Sequence, residues 1–254
     1  MQATLLRYAL WLALLCLPLS AQWINYPTPG IPRTADGKPN LTAPAPKSAD
    51  GKPDLTGVWR RRNDRHWSNL ATGVERVPFQ PWAEDAFRKA NRPPDQWEDG
   101  LSCLPRGYPR QAMAGNHPFR IVQAPAITLM LMEEFTNFRQ VFTDGRPLPA
   151  NREPTRFGYS TGRWDGNTFV VETVGISEKV VLDNVDHPHT DALHLTESYR
   201  RPDVGHLELE LTIDDPKAYT APWKTSIGFD LYADTELMEH NCENERSATH
   251  MPAR

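Results

Sequence analysis

His187 and His189 flank Pro188, and Glu197 follows in the same stretch, Asp183 to His206, which holds four of the eight histidines. Proline fixes its own φ and biases the residue before it towards extended geometry. In an extended segment, residues two apart point the same way, so both imidazoles can reach one point. Such a pair suits a divalent transition metal (Zn, Cu, Fe or Mn), with Glu197, Asp183, Asp186 or Asp191 to complete the ligand set. The competing expectation is a pair of unliganded loop histidines.

Glu197 is the second anomaly. Along Ala192 to Arg201, alternation puts Leu193, Leu195 and Tyr199 on one face, with Glu197 among them and His194 opposite. A carboxylate on an apolar face has to be paired, hydrogen-bonded or held neutral. One outcome is a general acid or base working with His187 and His189, or an anchor for a ligand. The other is an inward salt bridge to Arg139 or Arg163. Arg163 shares a face with Tyr159 and Thr161, so Arg139, Arg163, Tyr159 and Tyr199 are the candidate substrate-binding residues. Either arginine could instead stack on Trp59 as a plug at one end of the fold. Next along the chain, Leu207, Leu209, Leu211 and Ile213 form an apolar face, which turns His206, Glu208 and Glu210 to water.

The elements that carry these groups read as strands. Period-two runs separated by turn residues begin at Trp59 and continue at Ile127–Phe135, Phe138–Thr143, Arg156–Trp164, Thr168–Val174, Ala192–Arg201, Leu207–Asp214, Lys224–Tyr232 and Glu236–Glu243. About nine strands joined mostly by short links form an antiparallel meander, whose free edges are removed by closure. The expected fold is all-β: a closed or nearly closed lipocalin-like barrel with long Pro-rich loops, the alternative being a two-sheet, cupin-like jelly roll. Pro81 to Asn91 is the one clear helix, with Trp82, Ala86 and Ala90 as its apolar face; Arg92 to Pro118 reads as irregular.

The run DGKPDLTGVW resembles the opening of a family of secreted, largely uncharacterised proteins from soil bacteria. FRQVFTDGRPLP, GYSTGRWDGNTFVVETVG, the His-Pro-His loop with TESYRR, DDPKAYTAPW and CENE are similar to that family too, over nearly all of the chain after its leader. The resemblance implies export and brings no reaction with it. Gly57-Val58-Trp59 is also similar to the Gly-x-Trp opening of lipocalin-type barrels. His-x-His resembles the start of cupin metal sites, although His194 stands near the place of the expected Glu, and Pro202 to His206 fits the later cupin motif loosely.

Composition narrows the partners. With 28 basic against 32 acidic residues and no dense basic block, nucleic acid is excluded as a partner. Residues 1–21 read as a secretory signal peptide, with Arg7 ahead of a short apolar run that is too short for a stable membrane span; the chain is expected to be periplasmic or extracellular. Residues 22–54 read as an extended Pro/Gly-rich linker containing the repeat TADGKPNLT and SADGKPDLT, with an Asp-Gly turn in each copy, and residues 55–254 as the barrel domain. Cys103 and Cys242 remain after cleavage, which in an oxidising compartment suggests one disulfide. The 24 prolines, about twice the usual share of roughly 5%, agree with long ordered loops. The leading expectation is a polar barrel pocket that binds, and in its stronger form transforms, a small organic molecule. The alternatives are a metal-dependent hydrolase, lyase or oxidoreductase built on His-Pro-His, and a non-catalytic envelope protein serving interactions. Oligomeric state is not legible.

Overall fold

Alternation of apolar and polar side chains sorts each strand into a lumen face and an outer face, and the sheet that results closes on itself. The computed structural model of the protein describes residues 26–62, 69–90, 104–113, 117–151 and 153–240. Its strands are β1 (Gly57–Arg61), β2 (Phe119–Ala124), β3 (Ile127–Met132), β4 (Asn137–Phe142), β5 (Tyr159–Asp165), β6 (Thr168–Val174), β7 (His194–Arg200), β8 (His206–Asp214) and β9 (Trp223–Leu231). Each pairs with its neighbour in sequence, and β9 returns to pair with β1, giving a closed barrel. The lumen is filled by alternate residues such as Trp59, Phe119, Met130, Phe169, Leu195, Leu209 and Phe229, all buried.

The strand set differs from the expected one at two places. β2 was not anticipated: Pro118 and Pro125 bracket a short run whose Phe119 and Ile121 turn inward. No strand forms over 236–240, and the rest of the Glu236–Glu243 run lies outside the described residues. The meander is also not wholly antiparallel. β4 and β5 run parallel and share only two residue pairs, Val141↔Ser160 and Phe142↔Thr161, because the long connection after Phe142 brings the chain back to start in the same direction. That seam is the thinnest in the wall. β5 and β6 form a hairpin whose turn places Gly166 at φ 57°, a value that favours glycine.

Register divides the strand ends between two rims. One rim carries the β6–β7 loop, the β8–β9 loop and the segment that leaves β1. There helix α1 (Pro81–Ala90) lies over the rim, bonded through Gln80 N to Ala218 O (2.8 Å) and Trp82 Nε1 to Lys217 O (2.7 Å). Its packed face is Ala83 and Phe87, the latter 5.2 Å from Phe79 ring to ring, while Trp82 is largely exposed. The expected Trp82, Ala86 and Ala90 face is therefore rotated by about one residue. Below it, residues 104–113, ending in the short helix α2 (Arg110–Met113), form a strap across the same rim.

The opposite rim carries the N-terminal arm. Residues 26–56 lie against the barrel, with Val204 N donating to Ala43 O (2.9 Å), Gly205 N to Leu41 O (2.7 Å) and Arg33 paired with Asp234 (2.5 Å). The segment expected to be a linker is thus docked. Its two repeats form the same turn twice: Thr34 N bonds Lys38 O and Gly37 N bonds Thr34 O, as Ser48 N bonds Lys52 O and Gly51 N bonds Ser48 O, each at 2.9 Å. Thr34 and Ser48 hydroxyls close both turns onto Asp36 and Asp50. Each copy is a self-contained hydrogen-bonded turn. No helix among the described residues is long and apolar enough to cross a membrane. The leader, Cys16, Cys103 and Cys242 fall outside the described residues, and with them the expected disulfide.

Candidate functional site

Glu197 points into the lumen, as its place in β7 requires, and is fully buried. Arg139 of β4 meets it with both terminal nitrogens, Nη1 at 3.0 Å from Oε1 and Nη2 on Oε2. On the way the guanidinium crosses β5 and β6, donating to Ser160 Oγ (3.1 Å) and Thr173 Oγ1 (2.7 Å). It therefore ties four consecutive strands together across the thin β4–β5 seam. Tyr199 donates to Glu197 Oε1 at 2.7 Å, and Tyr108 of the strap donates to the same oxygen. The Tyr108 ring lies 3.6 Å below the Arg139 guanidinium carbon, and its hydroxyl is 3.1 Å from that of Tyr199. Both carboxylate oxygens are hydrogen-bonded, Oε1 by Arg139, Tyr108 and Tyr199 and Oε2 by Arg139, with Thr173 Oγ1 at 3.4 Å. This is a buried pair with its hydrogen bonds completed, the geometry in which Coulomb attraction offsets desolvation.

The electrostatics follow from that burial. Burial, reinforced by the Glu197 charge, pushes the Tyr108 and Tyr199 phenols well above their ordinary value. Burial alone would lower Arg139, but the Glu197 carboxylate more than offsets it and raises the guanidinium.

The other expected site residues divide. Arg139 and Tyr199 join Glu197. Arg163 and Tyr159 do not: the lumen face of β5 is the other one, with Ser160 buried, while the Arg163 side chain is 63% exposed and pairs with Glu172 at 3.5 Å. Tyr159 stacks on Phe142 outside the wall, 5.1 Å ring to ring, and accepts from Arg146 at 3.4 Å. The reason is Gly162. A Cβ there would stand 2.6 Å from the Phe169 ring, so this face of β5 is fitted closely against the lumen aromatics.

His187 and His189 are both buried beneath α1 and the strap, at the rim as expected, but they enter different surroundings. His187 Nδ1 donates to Asp183 Oδ2 at 2.6 Å, and its ring packs against Phe87 (4.4 Å), Trp223 (5.6 Å) and Phe79 (5.7 Å). Asp183 also accepts from the backbone N–H groups of Leu70, Val185 and His187, so it organises the loop. His189 Nε2 donates to Val180 O at 2.7 Å, with Nδ1 3.0 Å from Thr190 O. The His-Pro-His metal site is not assembled. Among the described residues no group of three or more His, Cys, Asp or Glu is placed to hold a metal ion.

His189 does line a cleft of about 390 Å³. The cleft runs between α1, the strap and the β6–β7 loop, with Leu104, Pro105, Val180 and Pro188 supplying apolar surface. Arg106, Arg110, Arg156 and Lys179 supply positive charge against Glu178 and Asp186. Arg156 donates to Pro105 O (2.8 Å) and Arg110 Nε to Asn184 Oδ1 (2.6 Å), which holds both guanidinium groups at the lining.

Two further residues went unread in the sequence. Tyr108 lies in a stretch without periodicity, and nothing there marked it as a lumen residue. Arg201 could have been found: it has the parity of Leu195, Glu197 and Tyr199. It sits 4.8 Å over Trp59 and donates to the carbonyls of Asp54 (2.6 Å), Thr56 (3.2 Å), Asp203 (3.2 Å) and Val204 (2.6 Å). Burial brings it down to about 10, still a cation at neutral pH. The expected arginine–tryptophan plug exists, made by this residue and not by Arg139 or Arg163. No family model, curated protein or solved structure matches the chain.

Proposed function

We propose that the protein is an exported, lipocalin-like β-barrel that binds a small organic acid in the cleft between the strap and the β6–β7 loop. One observation carries this: the cleft sets Arg106, Arg110, Arg156 and Lys179 around an apolar floor, with Glu178 and Asp186 in the same lining and Glu134 paired with Arg106 at 3.0 Å behind it. Small-molecule sites combine apolar surface with few placed polar groups, and fixed arginines suit carboxylates. His189 lines the cleft, yet its ring nitrogens face backbone carbonyls, so the chemistry supported is recognition and not proton transfer. The Arg201–Trp59 plug and Gly57-Val58-Trp59 in β1 support the lipocalin-like assignment, and the leader sequence supports export.

Calorimetric titration of the mature protein with aliphatic and aromatic carboxylates tests the proposal. Lys179 is exposed, so Lys179→Glu should weaken binding at least tenfold while leaving the melting temperature unchanged. Lack of saturable carboxylate binding, or indifference to Lys179→Glu, refutes it.

A further inference from the structure

The polar cluster in the lumen has one member that does not belong to the barrel wall. Arg139, Ser160, Thr173, Glu197 and Tyr199 sit on β4, β5, β6 and β7, whereas Tyr108 enters from the strap. Without Tyr108, the wall presents a cation positioned over an aromatic face, a carboxylate oxygen positioned to take a hydroxyl proton, and a second hydroxyl beside it. Those are the features that recognise a neutral phenol. An alkyl ring lacks the π face, and a phenolate would set a second negative charge against Glu197.

The closed strap carries costs of its own. Buried Glu134 Oε2 has no hydrogen-bond partner among the described residues, and Arg106 Nε, 3.0 Å from Glu134 Oε1, is paired with it by charge but without the alignment of a hydrogen bond. The turn on which the strap docks, through Gln111 Nε2 to Glu134 O (2.6 Å), holds Phe135 at φ 60° and Thr136 at φ 45°. The unpartnered Glu134 oxygen, the misaligned pair and the left-handed non-glycine backbone each cost free energy in the closed arrangement, leaving the Arg106–Glu134 charge attraction and Gln111 to hold the strap on the turn. The same strap forms one wall of the cleft through Leu104, Pro105, Arg106 and Arg110, so its withdrawal joins the outer cleft to the lumen.

We propose that the lumen is a binding site for para-substituted phenols and that the Tyr108 side chain is its tethered occupant, displaced when an external phenol enters. The site shares the strap with the carboxylate cleft, but its determinants are Arg139, Glu197 and Tyr199 and not Lys179, so the two can be tested apart. Tyr108 and p-cresol present the same group, so the tether supplies an effective concentration against which the free phenol competes.

The test is calorimetric titration of the full mature chain with p-cresol, with toluene as the ring lacking a hydroxyl. Wild type should bind p-cresol weakly and saturably, and Tyr108→Phe, which keeps the ring but loses the bond to Glu197, should bind it at least tenfold more tightly. Tyr108→Gly, folded alone or refolded in the presence of p-cresol, should gain melting temperature with p-cresol and little with toluene. Three results overturn the proposal: no saturable p-cresol binding to wild type or Tyr108→Phe, equal binding of toluene, or identical affinities for wild type and Tyr108→Phe. Lys179→Glu should leave p-cresol affinity unchanged, which separates failure here from failure of the cleft.

Discussion

Glu197→Gln isolates what the buried pair does. The substitution keeps the shape and leaves one oxygen to accept from Tyr108 and Tyr199, but it turns an amide N–H₂ towards the Arg139 guanidinium, donor against donor. The cation is then buried, 1% exposed on its side chain, with no counter-charge. Removing one partner of a buried pair costs about 3–5 kcal/mol. Against a total stability of about 5–15 kcal/mol that is a large fraction. At about 2–4 °C per kcal/mol for a chain of this size, the melting temperature should fall by roughly 6–20 °C. The damage should start at the β4–β5 seam, because Arg139 braces the two residue pairs that close it. Near-UV circular dichroism gives the melting curve, and amide exchange should rise first in β4 and β5. Arg139→Met combined with Glu197→Leu should recover part of the loss, with a coupling energy of about 2–3 kcal/mol. A fall below about 2 °C, smaller than the effect of 1 kcal/mol, would refute the assignment of Glu197 as a structural counter-charge.

Alkaline titration should show Tyr108, Tyr199 and Tyr219 silent in the native state, since all three phenols are raised by burial. The stability held in their protonated forms is complete below the unfolded value of 10.0 and is lost as pH rises beyond it, so their ionisation should appear together with unfolding in tyrosinate absorbance. Arg201→Lys should lower stability by about 1–3 kcal/mol in chemical denaturation, because an ammonium cannot reach four carbonyls and cover Trp59 at once. Gly107→Ala should cost about 1–3 kcal/mol, since Gly107 sits at φ 83° and a Cβ would stand 2.6 Å from Arg156 O; unchanged unfolding would show that the strap gives way freely.

The wall was legible wherever a strand kept strict alternation. β6, β7 and β8 were readable almost to the residue, and the inward Glu197 followed from parity alone. β5 misled because its polar residues alternate on both faces, so nothing but the fit of Gly162 to Phe169 says which one enters the lumen. His187 and His189 were correctly placed at a rim. Their partners, the Asp183 carboxylate and the Val180 carbonyl, are loop groups whose positions depend on tertiary packing and not on period. The strap and its Tyr108 escaped for the same reason. The repeat and its two Asp-Gly turns were visible as sequence, but the docking of that segment against the barrel was not.

Pairing of β1 with β9 sets residues such as Trp59 and Leu231 side by side, so the first and last staves of the cask touch. No piece of the chain that lacks β1 or β9 can complete the ring, and every product that stops short of β9 offers the lone flank of β1 to whatever strand comes near. Closure is therefore all-or-nothing with respect to the arrival of β9: until Trp223–Leu231 is in place, the cask has one stave missing.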